Sequence, residues 1–124
     1  MLGEGCNGSR ISADGATAAL QPGIIGAEAN RRLASYWRKI GPDPASIGAA
    51  MIGGIPANNS SGMCCGTAQN SYQTLQSMRI VFADGAVLDT ADSASRTAFA
   101  DSHGALLAGL AELGRNARAD DALA

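Results

Sequence analysis

The stretch that most restricts what this chain can fold into is 41–66, GPDPASIGAAMIGGIPANNSSGMCCG. It has one carboxylate, Asp43, no Lys or Arg, and a proline on each side of that acid. Gly53-Gly54 follows, and then Asn58-Asn59-Ser60-Ser61-Gly62. A segment this small and uncharged makes a poor surface loop and a poor amphipathic helix. Glycine lets a backbone lie close to another surface. Pro42 and Pro44 fix φ and push the residues before them into extended conformations. Asn and Ser carry short donors and acceptors that bond locally or to a ligand. Two readings follow. One is a tightly packed Gly/Ala turn region. The other is a cradle whose main-chain groups meet a bound cofactor with phosphates and a heteroaromatic ring.

The rest of the chain has little with which to bury a core. Its 124 residues make one domain (1–124), with a core over 10–90. Hydrophobic residues reach 46%, but many are alanine and only 4% are aromatic. So thin a core makes a missing partner surface plausible and leaves self-association open. A net charge of −2 without a basic run offers nothing to nucleic acid. No apolar run reaches the length of a transmembrane helix, and the first residues show no apolar leader segment. Cys6, Cys64 and Cys65 cannot form a disulfide framework, and free thiols suit a cytoplasmic setting.

In order, Ile11 and Thr17–Gln21 flank Asp14-Gly15, whose dipeptide supplies the positive φ of a tight hairpin. Gly26–Arg38 has the three-and-four spacing of a helix, with Ile25, Ala29, Leu33 and Tyr36 or Trp37 on one face. Arg31, Arg32, Arg38 and Lys39 fall on a solvated face, and Gly41-Pro42 stops the helix. Ser46 is placed to cap a short helix through Met51, whose first amides would make a pyrophosphate site. Ile55–Asn59 reads as a short buried strand, although Pro56 argues against a central one. Residues 67–76 form a polar connection. Met78–Ala83, Asp84-Gly85 and Ala86–Asp89 make the clearest hairpin. The last helix is expected from about 102 to 113, capped by Ser102 and stopped by Gly114. Leu106, Leu107, Leu110 and Leu113 are its apolar stripe, and 115–124 is a frayed tail. The fold class is α+β: short antiparallel strands with two or three flanking helices.

No catalytic constellation is visible. His103 is the sole histidine, distant in sequence from 41–66, and reads as an exposed or capping residue. One His without suitably spaced Cys does not make a transition-metal site. Cys64-Cys65 has no neighbouring base in sequence and reads as small packing residues. Neither GxGxxG nor a Walker-type lysine loop occurs.

The ordered set Gly41–Ser46 (GPDPAS), Ile52–Gly54 (IGG), Ala57–Met63 (ANNSSGM) and Cys65–Thr67 (CGT) continues with Asn70, Tyr72 and Thr74-Leu75. It closes with Leu88-Asp89-Thr90 after the Asp84-Gly85 turn. This pattern resembles the FAD-linked oxidase family with a PCMH-type FAD-binding domain, most closely its D-lactate and D-2-hydroxyacid dehydrogenase branch. The resemblance runs from about Gly5 to Thr90. It implies the second lobe of such a domain, with FAD as cofactor, in a flavoprotein oxidoreductase that oxidises a D-2-hydroxy acid by hydride transfer to the flavin. It also implies a fragment. A first lobe with a Gly-rich pyrophosphate loop, and a substrate domain bringing metal-binding histidines and a carboxylate, have no counterpart here. A full-length protein of this kind can be peripheral to the inner membrane.

By the same resemblance, Pro42, Asp43, Pro44, Ala45 and Ser46 lie along the flavin and its phosphates. Gly53 and Gly54 allow close backbone approach, and Ala57, Asn58, Asn59, Ser60, Ser61 and Gly62 line the same side. Ile80 and Val81 pack near the adenine. Three residues depart from the family's pattern. Trp37 replaces a glycine before Arg-Lys-Ile-Gly, Pro56 replaces Ala or Val, and Cys6 stands at an often aromatic position. Pro56 removes an N–H from the cradle. The competing reading is a small α+β lobe without catalysis, acting as a binding or interaction module.

Overall fold

A computed structural model describes residues 6–119, which divide after Leu75 into two compact units. Among the described residues, the α+β expectation holds as two separate two-stranded antiparallel sheets and five α-helices. Two of those helices are single turns, which sequence patterning did not separate from loop.

The first unit opens with β1 (Ser9–Ile11) and β2 (Ala18–Leu20), paired Ser9 to Leu20 and Ile11 to Ala18. The expected Asp14-Gly15 turn is present, with one change. Gly15 alone takes a positive φ, of 67°. Asp14 turns its carboxylate back on the loop, where Oδ1 accepts from Ala16 N at 3.0 Å and from the Ser12 hydroxyl at 2.6 Å.

Helix α1 (Gly26–Leu33) buries Gly26, Ala29 and Leu33, the three-and-four face expected from sequence. It ends sooner than Arg38. A 3-10 turn, Ala34–Tyr36, leads to Trp37 in the left-handed conformation at φ 55°. That conformation explains the glycine preferred here in the resembled family, since glycine takes it without steric cost. The tryptophan as a whole is 96% exposed. The arginines are less idle than a solvated face. Glu28 pairs with both Arg31 and Arg32. Arg32 also donates to Asn7 O and Ser9 Oγ, tying the start of the chain to the helix.

The chain at 47–53 runs back along 22–27. Gly26 N donates to Ala50 O, Ala27 N to Ile47 O, Ile52 N to Ile24 O, and Gly53 N to Pro22 O, with an antiparallel bridge at Ile25 and Met51. The first amides of α1, which lack helical partners, are thereby satisfied by this chain's own carbonyls. Ile24, Ala29, Leu33, Ile55 and Cys65 form the unit's buried apolar core. Helix α2 (Gly54–Ala57) and helix α3 (Ser71–Thr74) complete it.

In the second unit, β3 (Arg79–Val81) and β4 (Val87–Asp89) form the hairpin expected around Asp84-Gly85. Thr90 seals its open end: its hydroxyl accepts from Met78 N and its amide donates to Met78 O. Helix α4 (Ser93–Ser102) occupies a passage whose Ala, Ser and Asp composition commits to no element, although its start signal is in the sequence. Asp92 accepts from Ala94 N and Ser95 N as a side-chain N-cap. Ser102 does not cap the final helix. It ends α4, with its hydroxyl donating to Ala98 O. Helix α5 (Gly104–Ala119) then runs through Gly114 and through 115–119, the first half of the segment expected to fray; 120–124 lies outside the described residues. Leu106, Leu107, Leu110 and Leu113 of the expected stripe are all exposed.

Candidate functional site

The first arm of the candidate site is Pro42–Ser46. Pro42 and Pro44 are buried, while Ala45 and Ser46 face solvent. The Asp43 carboxylate meets the Lys39 ammonium at 3.2 Å, so the negative charge is partnered at the edge of the arm. After Pro44 the backbone turns, with Ile47 N donating to Pro44 O and both Ala49 N and Ala50 N to Ser46 O. The helix expected from Ser46 to Met51 does not form, because Met51 is drawn into the bridge with Ile25 and the turn never propagates. No helix therefore begins at Ser46 to offer its first amides to a pyrophosphate. What remains is an exposed turn whose Ala45, Ser46 and Gly48 amides donate to no described residue.

The second arm, Gly53–Gly62, is also not the strand expected over Ile55–Asn59. Gly54–Ala57 closes into a helical turn because Gly53 N and Gly54 N are already engaged by Pro22 O and Met51 O. Pro56 lies within that first turn, where amides have no helical partner to lose, so the missing N–H is harmless. The following loop is held by its own polar groups. Asn59 adopts φ 51°, which asparagine tolerates better than most residues, and its Oδ1 accepts from Tyr72 N at 3.0 Å. The Ser60 hydroxyl bonds to Asn58 Oδ1.

These arms touch. A Cβ on Gly62 would overlap the carbonyl oxygen of Asp43, so that glycine is where Asn58–Gly62 packs against Pro42–Ser46. Gly53 is packed too, with a Cβ falling 2.8 Å from Pro22 Cβ. Gly54 differs, since a Cβ there would meet nothing within 4 Å. The predicted glycines thus split into two kinds: Gly53 and Gly62 allow the chain to approach itself, and Gly54 leaves open surface. Ile80 and Val81 belong to β3 of the other unit, half-buried and exposed respectively.

Sequence reasoning missed the supports of this surface. Ser71 is 3% exposed, and its hydroxyl lies 3.2 Å from both Ile55 O and Ser60 O. Asn70 caps α3 by accepting from Gln73 N at 3.0 Å. The run Asn70-Ser71 carries that N-cap signal, although the polar composition of 67–76 hides it. The Cys65 thiol sits against Gly62, accepting from its amide at 3.0 Å. Among the described residues, no group of three or more His, Cys, Asp or Glu side chains stands where it could hold a metal ion.

A family model described as an FAD binding domain matches residues 2–91, in agreement with the resemblance carried by 41–66 and the Leu88-Asp89-Thr90 hairpin. No curated protein and no solved structure matches the chain. The residues present suit FAD on their own chemistry. Ala45, Ser46, Gly48, Gly53, Gly54, Ala57 and Asn58 are exposed, small and uncharged. Gly48 and Gly54 face open space, and the unused amides of 45, 46 and 48 are donors of the kind a diphosphate accepts from.

Proposed function

The chain belongs to the FAD binding domain family, with FAD as its cofactor, and from that premise we propose that it serves a flavin-dependent oxidation of a D-2-hydroxy acid such as D-lactate. The observation that carries the site is the packing of Gly62 on Asp43, which joins both arms of the motif into one donor-bearing surface of small residues, with the Asp43–Lys39 pair at its edge. In this reading Pro42–Ser46 follow the flavin and its phosphates, with the Ala45 and Ser46 amides as donors from a turn. Gly54 admits the closest approach, and Ala57, Asn58, Asn59, Ser60 and Gly62 line the same side.

Bound FAD supplies the two-electron chemistry; the part of this chain is to bind, orient and exclude water. The group that takes the substrate's hydroxyl proton comes from outside these residues. Support for that is the engagement of His103, the sole histidine, with Asp84 and Ser102 in the second unit. A first lobe and a substrate domain are therefore the proposed partners. The assignment to D-2-hydroxy acids rests on the order of motifs from GPDPAS to LDT.

Two measurements test this. Titration with FAD, read by flavin fluorescence and by thermal midpoint, should give a saturable rise in midpoint. No binding to a folded sample would defeat the surface assigned here. Once the complementary domains are supplied, anaerobic D-lactate should bleach the oxidised flavin while L-lactate does not. Equal response to both enantiomers would defeat the substrate class.

A further inference from the structure

We propose that Ser71, buried behind the candidate surface, is a positioning residue for FAD binding; the inference rests on the reading of 42–62 as the FAD surface. The loop from Ile55 to Ser60 closes on itself, with Ser60 N donating to Ile55 O at 2.9 Å. Ser71 Oγ stands at both ends of that ring, 3.2 Å from each carbonyl. A hydroxyl has one proton, so the two carbonyls share it, and it fixes their separation as well as their direction. The next residue continues the grip, with Tyr72 N bonded to Asn59 Oδ1. Helix α3 therefore holds the whole turn from behind, while Asn58 and its Ser60 partner are presented in front.

At 3% exposure Ser71 has no surface left for a ligand. Its influence on FAD passes through the shape of 58–62. Without the hydroxyl, the Ser60 carbonyl loses a buried partner, and the ring relaxes to find another. Asn59 is the weak point, because its left-handed backbone is held by that frame.

The test compares the wild-type chain with Ser71→Ala, Ser71→Thr and Ser71→Cys. Each is titrated with FAD by flavin fluorescence, and each thermal midpoint is measured without FAD. Ser71→Ala should weaken FAD binding about tenfold, the scale of one lost buried hydrogen bond. Ser71→Thr, which keeps the hydroxyl, should bind within about threefold of wild type, and Ser71→Cys, a weaker donor, should fall between them. A merely structural role predicts that affinity of the folded fraction is the same in all four. Wild-type affinity in a folded Ser71→Ala variant overturns the proposal. If that variant does not fold, equal affinity of the Cys and Thr variants overturns it instead. Absence of FAD binding by the wild-type chain overturns the FAD surface itself, an outcome distinct from either.

Discussion

The two Asp-Gly hairpins share one local design and use it for different ends. In each, the glycine amide donates to a carbonyl three residues earlier, Gly15 to Ser12 and Gly85 to Phe82. In each, the glycine alone has positive φ, 67° and 87°, and the aspartate accepts from the amide two residues on. They part in what surrounds them. Gly15 is buried under Tyr36, and a Cβ there would lie 2.6 Å from Tyr36 Cβ, whereas Gly85 faces open space. Asp14 bonds only within its own loop, while Asp84 reaches His103 Nε2 at 2.9 Å, and that ring stacks on Phe99 with centroids 4.1 Å apart. The first turn is locked through its glycine and the second through its acid. Identical dipeptides thus fix local shape, and the neighbours decide which residue carries tertiary structure.

Substitution of the glycines should separate the two turns most strongly. Gly15→Ala combines left-handed strain of about 1–2 kcal/mol with overpacking against a rigid Cβ, for a loss of about 3 kcal/mol. Gly85→Ala incurs only the strain, about 1–2 kcal/mol. Denaturant unfolding followed by circular dichroism would measure both. Equal losses would break the comparison, since they would mean that Tyr36 yields without cost.

How far the sequence spoke follows the same division. Both hairpins and the buried face of α1 were legible, because Asp-Gly pairs and three-and-four spacing are local signals. The shape of 45–59 was not. Ser46 looked like a cap and 55–59 like a strand. The outcome was decided by the bonds that 47–53 makes to 22–27, which no local pattern encodes. The composition of the site was legible and its support was not. Asn58, Asn59 and Gly62 stood out, but Ser71 is an ordinary polar residue whose importance lies in two carbonyls distant in sequence. The leucines of α5 misled for a related reason: a stripe announces a helix and says nothing about what covers it.

Trp37 extends the glycine comparison to a third left-handed position, one where the sequence supplies the wrong residue. At φ 55° a tryptophan is strained, and with 96% of it exposed it recovers little by burial. Trp37→Gly should relieve about 1–2 kcal/mol of strain against about 0.5–1 kcal/mol of added chain entropy. A net gain of at most about 1.5 kcal/mol should appear as a higher denaturant midpoint at unchanged slope. A lower midpoint would show that the ring makes contacts worth more than the strain.

The smallest effect concerns the two acids and sharpens the contrast most directly. Both carboxyls are held below the ordinary value of 3.8, Asp14 chiefly by the Ser12 hydroxyl and then the Ala16 amide, Asp84 chiefly by His103 and then the Ala86 amide. A depressed carboxyl favours the folded state above its unfolded value, and that contribution disappears as pH falls through the folded one. Each turn should therefore weaken only on acidification below about pH 4. His103→Leu keeps an apolar group against Phe99 but removes the nitrogen. In an NMR titration it should raise the Asp84 midpoint, stopping short of 3.8 because Ala86 still donates, and leave Asp14 unmoved. Ser12→Ala should do the converse, raising Asp14 alone. If His103→Leu left the Asp84 midpoint in place, the acid would be held by its own loop, as Asp14 is, and the two hairpins would differ only in their glycines.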